Sequence, residues 1–375
     1  MVVIKSKYEK GFHPNLPPPA STVGALGWLR ENLFSSPINA LFTVFAIYLV
    51  YYTVPPMLDW LIFDAAWVGA DNKVCKNATG GPIAAACWPF IKEWFTPFMF
   101  GRYPQGEIWR IKITYVLFGI TLLALLIPQI PFKKWFALFM LIPLPIICFY
   151  LYAGGSFGLM YIETNLWGGL FLTLVIALTG IVASLPIGII LALGRRSNMP
   201  VVKAICVAFI ELWRGIPLIS ILFMSSVMFP LFMPEGVNLD KLMRAMIGVT
   251  LFSSAYMAEV VRGGLQAIPK GQYEGAQALG LNFSKSMYFI VMPQALKLVI
   301  PGIVNTFISL FKDTTLVGVI GLLDFLAMIQ AGSANPEWLG YLTTGFAFAA
   351  LAYWVFCFGM SQYSQHLERK LHTGL

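Results

Sequence analysis

Charge is the scarcest resource in this 375-residue chain: Asp, Glu, Lys and Arg make up only 11 % of it, against roughly 25 % in soluble domains. With 58 % apolar residues and a mean hydropathy of +0.75, it cannot cover a water-facing surface. That excludes a cytosolic enzyme and a disordered scaffold. Histidine is nearly missing too. His13, His366 and His372 all fall outside the apolar runs, so the intramembrane ligands of a haem-bearing respiratory subunit are lacking. There is no metal-spaced His/Cys set and no Ser/His/Asp arrangement for a membrane enzyme. No G-x-x-x-x-G-K-[S/T] occurs, so no P-loop can bind nucleotide here. The formal net charge of +8 comes without any dense Lys/Arg run, so nucleic acid is not implied. A secretory leader is not expected either, because Lys5, Lys7 and Lys10 are followed by Pro14 and Pro17 to Pro19 instead of an apolar core; the first membrane helix is expected to be retained.

What the chain does have is long apolar runs. A bilayer core of about 30 Å needs about 20 apolar helical residues per crossing. Eight stretches qualify, near 38–57, 111–127, 135–153, 167–193, 202–231, 243–261, 287–311 and 340–361. The fold expected is an all-α integral membrane protein with about eight transmembrane helices. A shorter, glycine-bearing piece, Thr314 to Ile329, is expected to be re-entrant or partly buried. Cytoplasmic loops collect Lys and Arg. Placing both termini inside puts Lys5, Lys7, Lys10 and Arg30 on that side, together with Lys133, Lys134, Arg195, Arg196, Lys203, Arg262, Lys270, Lys285, Arg369 and Lys370. The short outer connections then hold only Lys241.

Function is expected in the second part of the chain. Residues 1–160 form an N-terminal extension with three spans nearly free of ionisable groups and a long outer loop. Cys75 and Cys87, twelve positions apart in that loop, are placed to form a disulfide in an oxidising compartment; the alternative is two free thiols. Cys148, Cys206 and Cys357 lie in apolar segments as packing residues. Residues 161–375 carry Glu211, Arg214, Glu259, Lys297, Lys312 and Asp313 at or beside membrane depth, where an ionisable group costs about 2.5–3.5 kcal/mol and usually faces a seam, a partner or water. Gly180, Ser184 and Gly188 make one narrow face suited to close helix packing.

Three groups of residues in this part are candidates for the site. Glu211 and Arg214, three apart, can neutralise each other on one face, with Glu211 near the midplane about 16 Å from Pro200; Gly215 and Pro217 then weaken the helix, as in broken transporter helices. A structural ion pair and a place on the substrate path are both open. Lys297, Asn305, Ser309 and Lys312 share one side of a helix. Next to them Lys312, Asp313, Thr314 and Thr315 gather both charge signs and two hydroxyls, as a zwitterion would need, or as a self-satisfied helix cap would provide.

Between the sixth and seventh spans, Gln272 to Leu279 is helix-forming, with Pro269 before it and Gly280 at a natural stop. Such a short helix outside the bilayer is expected to dock on a partner. Ala276 and Gly280, four apart, would stack on one outward face, and Glu274 would sit in the first turn, favourable for a carboxylate. Glu274, Gly275, Ala276, Gly280 and, after nine residues, Ile290, Met292 and Pro293 resemble the coupling motif of ABC-importer permeases, E-A-A, three residues, G, nine residues, I-x-L-P. Gly275 and Met292 depart in identity and the spacing is kept. Glu211-Leu-Trp-Arg-Gly-Ile-Pro-Leu218, Ala255-Tyr-Met-Ala-Glu-Val-Val-Arg262, Ile268-Pro-Lys-Gly-Gln272, Lys312-Asp-Thr-Thr-Leu316 and Leu367-Glu-Arg-Lys-Leu371 resemble permeases for polar amino acids, of the histidine and glutamine type. The extension, through Trp28-Leu-Arg-Glu-Asn-Leu-Phe34, Cys87-Trp-Pro-Phe90 and Gly101-Arg-Tyr-Pro104, is similar to the M-type subunit of general L-amino-acid ABC transporters.

The resemblance implies a type I importer permease with a five-helix core, in a bacterial inner membrane, translocating L-amino acids of broad specificity. Its partners would be a second permease, a homologous but different chain in a heterodimer or a second copy of this one in a homodimer, two ATPase subunits and a periplasmic amino-acid-binding protein, in contact with lipid. It would carry no catalytic residue and no cofactor, with ATP and Mg on the ATPase. Gln272, Tyr273, Glu274, Ala276 and Gly280 would form the ATPase-coupling contact, and Glu211, Arg214, Asn305, Ser309, Lys312, Asp313, Thr314 and Thr315 the substrate path or gate. An ion-coupled secondary amino-acid transporter would use the same charges but gives no reason for the coupling segment, and the repeat-related halves usual in that class are not visible.

Overall fold

The computed structural model describes residues 24–371, apart from 70–71, 80–84, 128, 235 and 237–238. The basic, proline-rich start around Lys5, Lys7 and Lys10 lies outside the described residues, as do His13 and His372. No strand occurs among the described residues, only three isolated backbone bridges.

Short α1 (Gly24–Asn32) leads to α2 (Pro37–Leu58). Ser36 sets its start: the hydroxyl accepts the Asn39 amide at 3.2 Å, and Pro37 occupies the first turn, where a missing N–H removes no bond. A π-helical turn, Asp59–Phe63, extends it. The long loop after it is partly helical, with α3 (Asn72–Thr79), α4 (Trp88–Glu93) and α5 (Phe95–Phe100). After α6 (Ile108–Leu126), the third span comes in two pieces, α7 (Lys133–Leu141) and α8 (Pro143–Ala153), because Pro143 and Pro145 cannot donate to the helical ladder.

The second part begins with α9 (Gly169–Arg195), followed by α10 (Pro200–Gly215) and α11 (Leu218–Phe223), which continues through π and 3₁₀ turns to Phe232. Then come α12 (Lys241–Ala267), α13 (Lys270–Ala278), α14 (Phe283–Ser286), a π turn, α15 (Met292–Leu298), α16 (Ile300–Asp313), a 3₁₀ segment Thr314–Ile320, α17 (Phe325–Ser333) and α18 (Leu342–Leu371). The carboxylates of Asp240 and Asp324 accept the first free amides of α12 and α17.

Six helices among the described residues are long and apolar enough to cross a membrane, and α10 with the segment after it makes a seventh if the pair, bent by 104°, is one span. The expected sixth span, α12, has 27 residues, but Lys241, Arg244, Glu259 and Arg262 make it more polar than the rest. The expected seventh span is divided at Val299, before Pro301. Its membrane-length part is Ile300–Ile320, so the first half of the piece expected to be re-entrant prolongs α16, and only α17 stands as a separate short, largely buried helix.

The narrow face of α9 packs as expected. Gly180, Ser184 and Gly188 are buried, and a Cβ on Gly188 would stand 2.7 Å from the Met257 side chain, so α12 approaches to a distance that only glycine permits. The extension is not a separate body. Tyr103, Ile111 and Tyr152 share one apolar cluster with Trp167, Phe171, Leu222 and Leu310, and Phe90 and Phe98 share another with Phe325, Ile329 and Trp338. Residue 160 therefore marks a change in sequence character and not a break in packing. By contrast, α2 has no buried residue at all.

Candidate functional site

The short helix between α12 and α15 has a defined inner and outer side. Ile268 and Pro269 are extended, and α13 begins at Lys270. Its end is closed by Gly280, at φ +71°: the Gly280 amide donates to Gln277 O at 2.9 Å and the Leu281 amide to Ala276 O at 3.1 Å, the two bonds of a Schellman stop. Nothing lies within 4 Å of where a Cβ on Gly280 would be. Backbone conformation, not crowding inside this chain, is what asks for glycine there.

Tyr273 and Ala276 face the body of the chain. Tyr273 Oη donates to Leu265 O at 3.1 Å and accepts from Arg196 Nη1 at 3.3 Å. Ala276 is buried. Gln272 Oε1 accepts from Gln294 Nε2 at 3.1 Å. The outward face is Glu274, Gly275, Ala278 and Leu279, the last 77 % exposed. Two expectations are corrected here. Ala276 does not stack with Gly280 on an outward face, because the hydrophobic contact of the helix turns it inward. Glu274 stands in the second turn, because the helix begins two residues earlier than expected.

Glu211 and Arg214 are brought together through a third residue and not by pairing with each other. Glu259 on α12 is the hub: its Oε1 meets Arg195 Nη1 at 2.6 Å and Arg214 Nη1 at 3.8 Å, and its Oε2 meets Arg262 Nη2 at 2.7 Å. Glu211 Oε1 pairs with Arg195 Nη2 at 3.0 Å. Three guanidiniums and two carboxylates leave one positive charge in excess. Because Arg195 is the last residue of α9 and pairs with Glu211, Glu211 lies level with that helix end rather than midway along it. The Arg214 guanidinium also stands 5.7 Å from the Tyr256 ring centroid.

The α16 stripe is present: Lys297, Asn305, Ser309 and Lys312 are all exposed on this chain, opposite the buried Ile303, Leu310 and Phe311. No ion pair joins Lys312 or Asp313 to the Glu259 network among the described residues. Thr314 is buried and donates to Phe311 O at 2.7 Å, and Thr315 donates to Lys312 O at 2.9 Å; both hydroxyls are spent on their own helix. Cys75 and Cys87 are bonded to each other, with Cα atoms 5.8 Å apart, and Cys87 N donates to Thr344 Oγ1 at 3.1 Å, which ties the bridge to α18. No group of three or more His, Cys, Asp and Glu among the described residues could hold a metal ion.

The sequence that folds into this exposed helix, charged hub and bent span is similar to known proteins. The sequence profile described as "Binding-protein-dependent transport system inner membrane component" matches residues 184–373. The chain belongs to this family. This inner membrane component is 50 % identical over 362 residues to the inner membrane amino-acid ABC transporter permease protein YhdY of Escherichia coli (strain K12), covering 96 % of this chain and 97 % of that one. It is 39 % identical over 419 residues to the glutamate/glutamine/aspartate/asparagine transport system permease protein BztC of Rhodobacter capsulatus, covering 95 % of each. The probable glutamine ABC transporter permease protein GlnP of Bacillus subtilis (strain 168) is 35 % identical over 203 residues, 54 % of this chain and 92 % of that protein. Membership and the apolar helices make it a multi-pass inner-membrane protein. Sequence reasoning uses Arg195 and Arg262 only to orient loops and leaves Glu259 outside the candidate site; an acidic residue in a span with arginines at two neighbouring helix ends is the signal that could have found the hub.

Proposed function

We propose that this inner membrane component is the permease subunit of an ATP-driven importer that carries amino acids delivered by a periplasmic binding protein. The observation that carries the reading is α13: one face is fixed to the body through Tyr273 and Ala276, and the other, Glu274, Gly275, Ala278 and Leu279, is exposed with a leucine in it. Leu279 and Phe283, 77 % and 67 % exposed at the end of this helix and just after it, offer apolar surface to a docking partner. The relatives' names give the substrate class, amino acids. The ATPase is a separate chain that binds ATP and Mg, and this chain supplies no catalytic residue. A homologous second permease completes the pathway, with Glu211, Arg214, Asn305, Ser309, Lys312 and Asp313 lining the path or its gate. Both termini and α13 are cytoplasmic, and the disulfide loop lies outside, which accords with the Lys and Arg near α13 and α18. The N-terminal part, residues 1–160, is an accessory addition, since the family profile matches only residues 184–373 and GlnP, nearly whole, matches only 54 % of this chain.

The test is reconstitution in vesicles with the receptor, the ATPase and each permease supplied or omitted in turn, following uptake of radiolabelled L-amino acids. Uptake is expected only when all are present. Full uptake without this chain would defeat the reading.

A further inference from the structure

Two consecutive arginines close α9, and they grip different elements. Arg195 holds two carboxylates, Glu259 on α12 at 2.6 Å and Glu211 on α10 at 3.0 Å. Arg196 donates to Tyr273 Oη at 3.3 Å, with its guanidinium 5.8 Å from the Tyr273 ring centroid, and the same hydroxyl is bonded to Leu265 O in the last turn of α12. Only extended Ile268 and Pro269 link α12 to α13, and Pro269 has no N–H, so side-chain ties rather than a continuous helix set where α13 stands against α9.

We propose that Arg195 and Arg196 form a relay that passes displacement of α13 to α10 and α12. Tyr273 carries the movement to Arg196, the rigid end of α9 carries it to Arg195, and Arg195 carries it to Glu211, four residues before Gly215 and the 104° bend. The forked guanidinium is suited to gripping two carboxylates at once, which a lysine does less rigidly. The side chains of Arg195 and Glu259 are 24 % and 16 % exposed, so this pair is screened less than a surface pair. Both arginines are positioning residues that act through the helices they hold. The relay rests on the reading of α13 as the ATPase contact.

The test uses the assembled transporter in vesicles, with a mixture of radiolabelled L-amino acids as probe, and reads uptake per ATP hydrolysed. Arg195→Gln is expected to fold, because Glu259 keeps Arg262 at 2.7 Å and Glu211 is more than half exposed. It should lower the ratio about tenfold, while copurification with the ATPase and the thermal unfolding temperature stay put, and Arg195→Lys should restore most of it. Tyr273→Phe should lower the ratio too. The double variant should be no worse than the worse single one, since both cut one chain of contacts. An unchanged ratio in Arg195→Gln, multiplying effects in the double variant, or a loss that only tracks copurification would overturn the relay. If Arg195→Gln does not assemble, Arg196→Ala, at an exposed position, must give the lowered ratio, and an unchanged one overturns the relay. An unaltered complex without ATP-dependent uptake would overturn the importer reading and the relay together.

Discussion

At the scale of single residues, the outer and inner sides of α13 separate two kinds of effect. Gly280 has open space around it and a left-handed backbone, so a side chain there costs about 1–2 kcal/mol of local strain and adds bulk on the docking side. Gly280→Trp is expected to abolish uptake with normal membrane insertion; normal uptake with normal ATPase copurification would contradict the docking role. Ala276 is 1 % exposed, so Ala276→Leu overpacks the inner side and should destabilise by about 1–3 kcal/mol, seen as a lowered unfolding temperature of this chain alone. The disulfide gives a count: denatured but unreduced protein should alkylate at Cys148, Cys206 and Cys357 only, and at all five cysteines after reduction. Five labels before reduction would contradict the bridge. The short helix α13 and its glycine stop are legible in the sequence because helix propensity and spacing along one helix are local properties. The pairing of Glu211 is not, since Arg195 and Glu259 reach it from other helices, and three-residue spacing also fits the self-neutralised pair.

At the scale of elements, apolar length locates the helices but not their breaks. Prolines divide α7 from α8 and help divide α15 from α16, and the Gly215–Pro217 stretch bends α10 away from α11; a hydropathy window averages over such points. Nor does apolar length say which helix is held. Phe171 on α9 is fully buried among Tyr103, Tyr152 and Trp167, whereas Phe45 on α2 is 60 % exposed. Within a bilayer the loss from truncation is mostly packing. Phe171→Ala should therefore cost at least about 2 kcal/mol and Phe45→Ala less than about 0.5 kcal/mol, compared by thermal unfolding in one detergent. Equal shifts would contradict the unpacked state of α2 in this chain.

At the scale of the whole molecule, the family-wide part and the extension are joined by two shared apolar clusters, and the backbone bridge between Gly101 and Trp167 fastens the extension to the start of α9. The charged hub and α13 gather around the other end of α9. One end of the long α9–α12 pair is thus held by the extension, and the other is the end at which the proposed partner would act. Energy supplied at α13 is the central claim, and the energy source is its most direct test. Vesicles holding the complete transporter should accumulate radiolabelled L-amino acids when ATP is supplied on the α13 side and receptor on the other, and should not when ATP is replaced by a proton or sodium gradient. Gradient-driven uptake without ATP or receptor would contradict the account and favour an ion-coupled carrier.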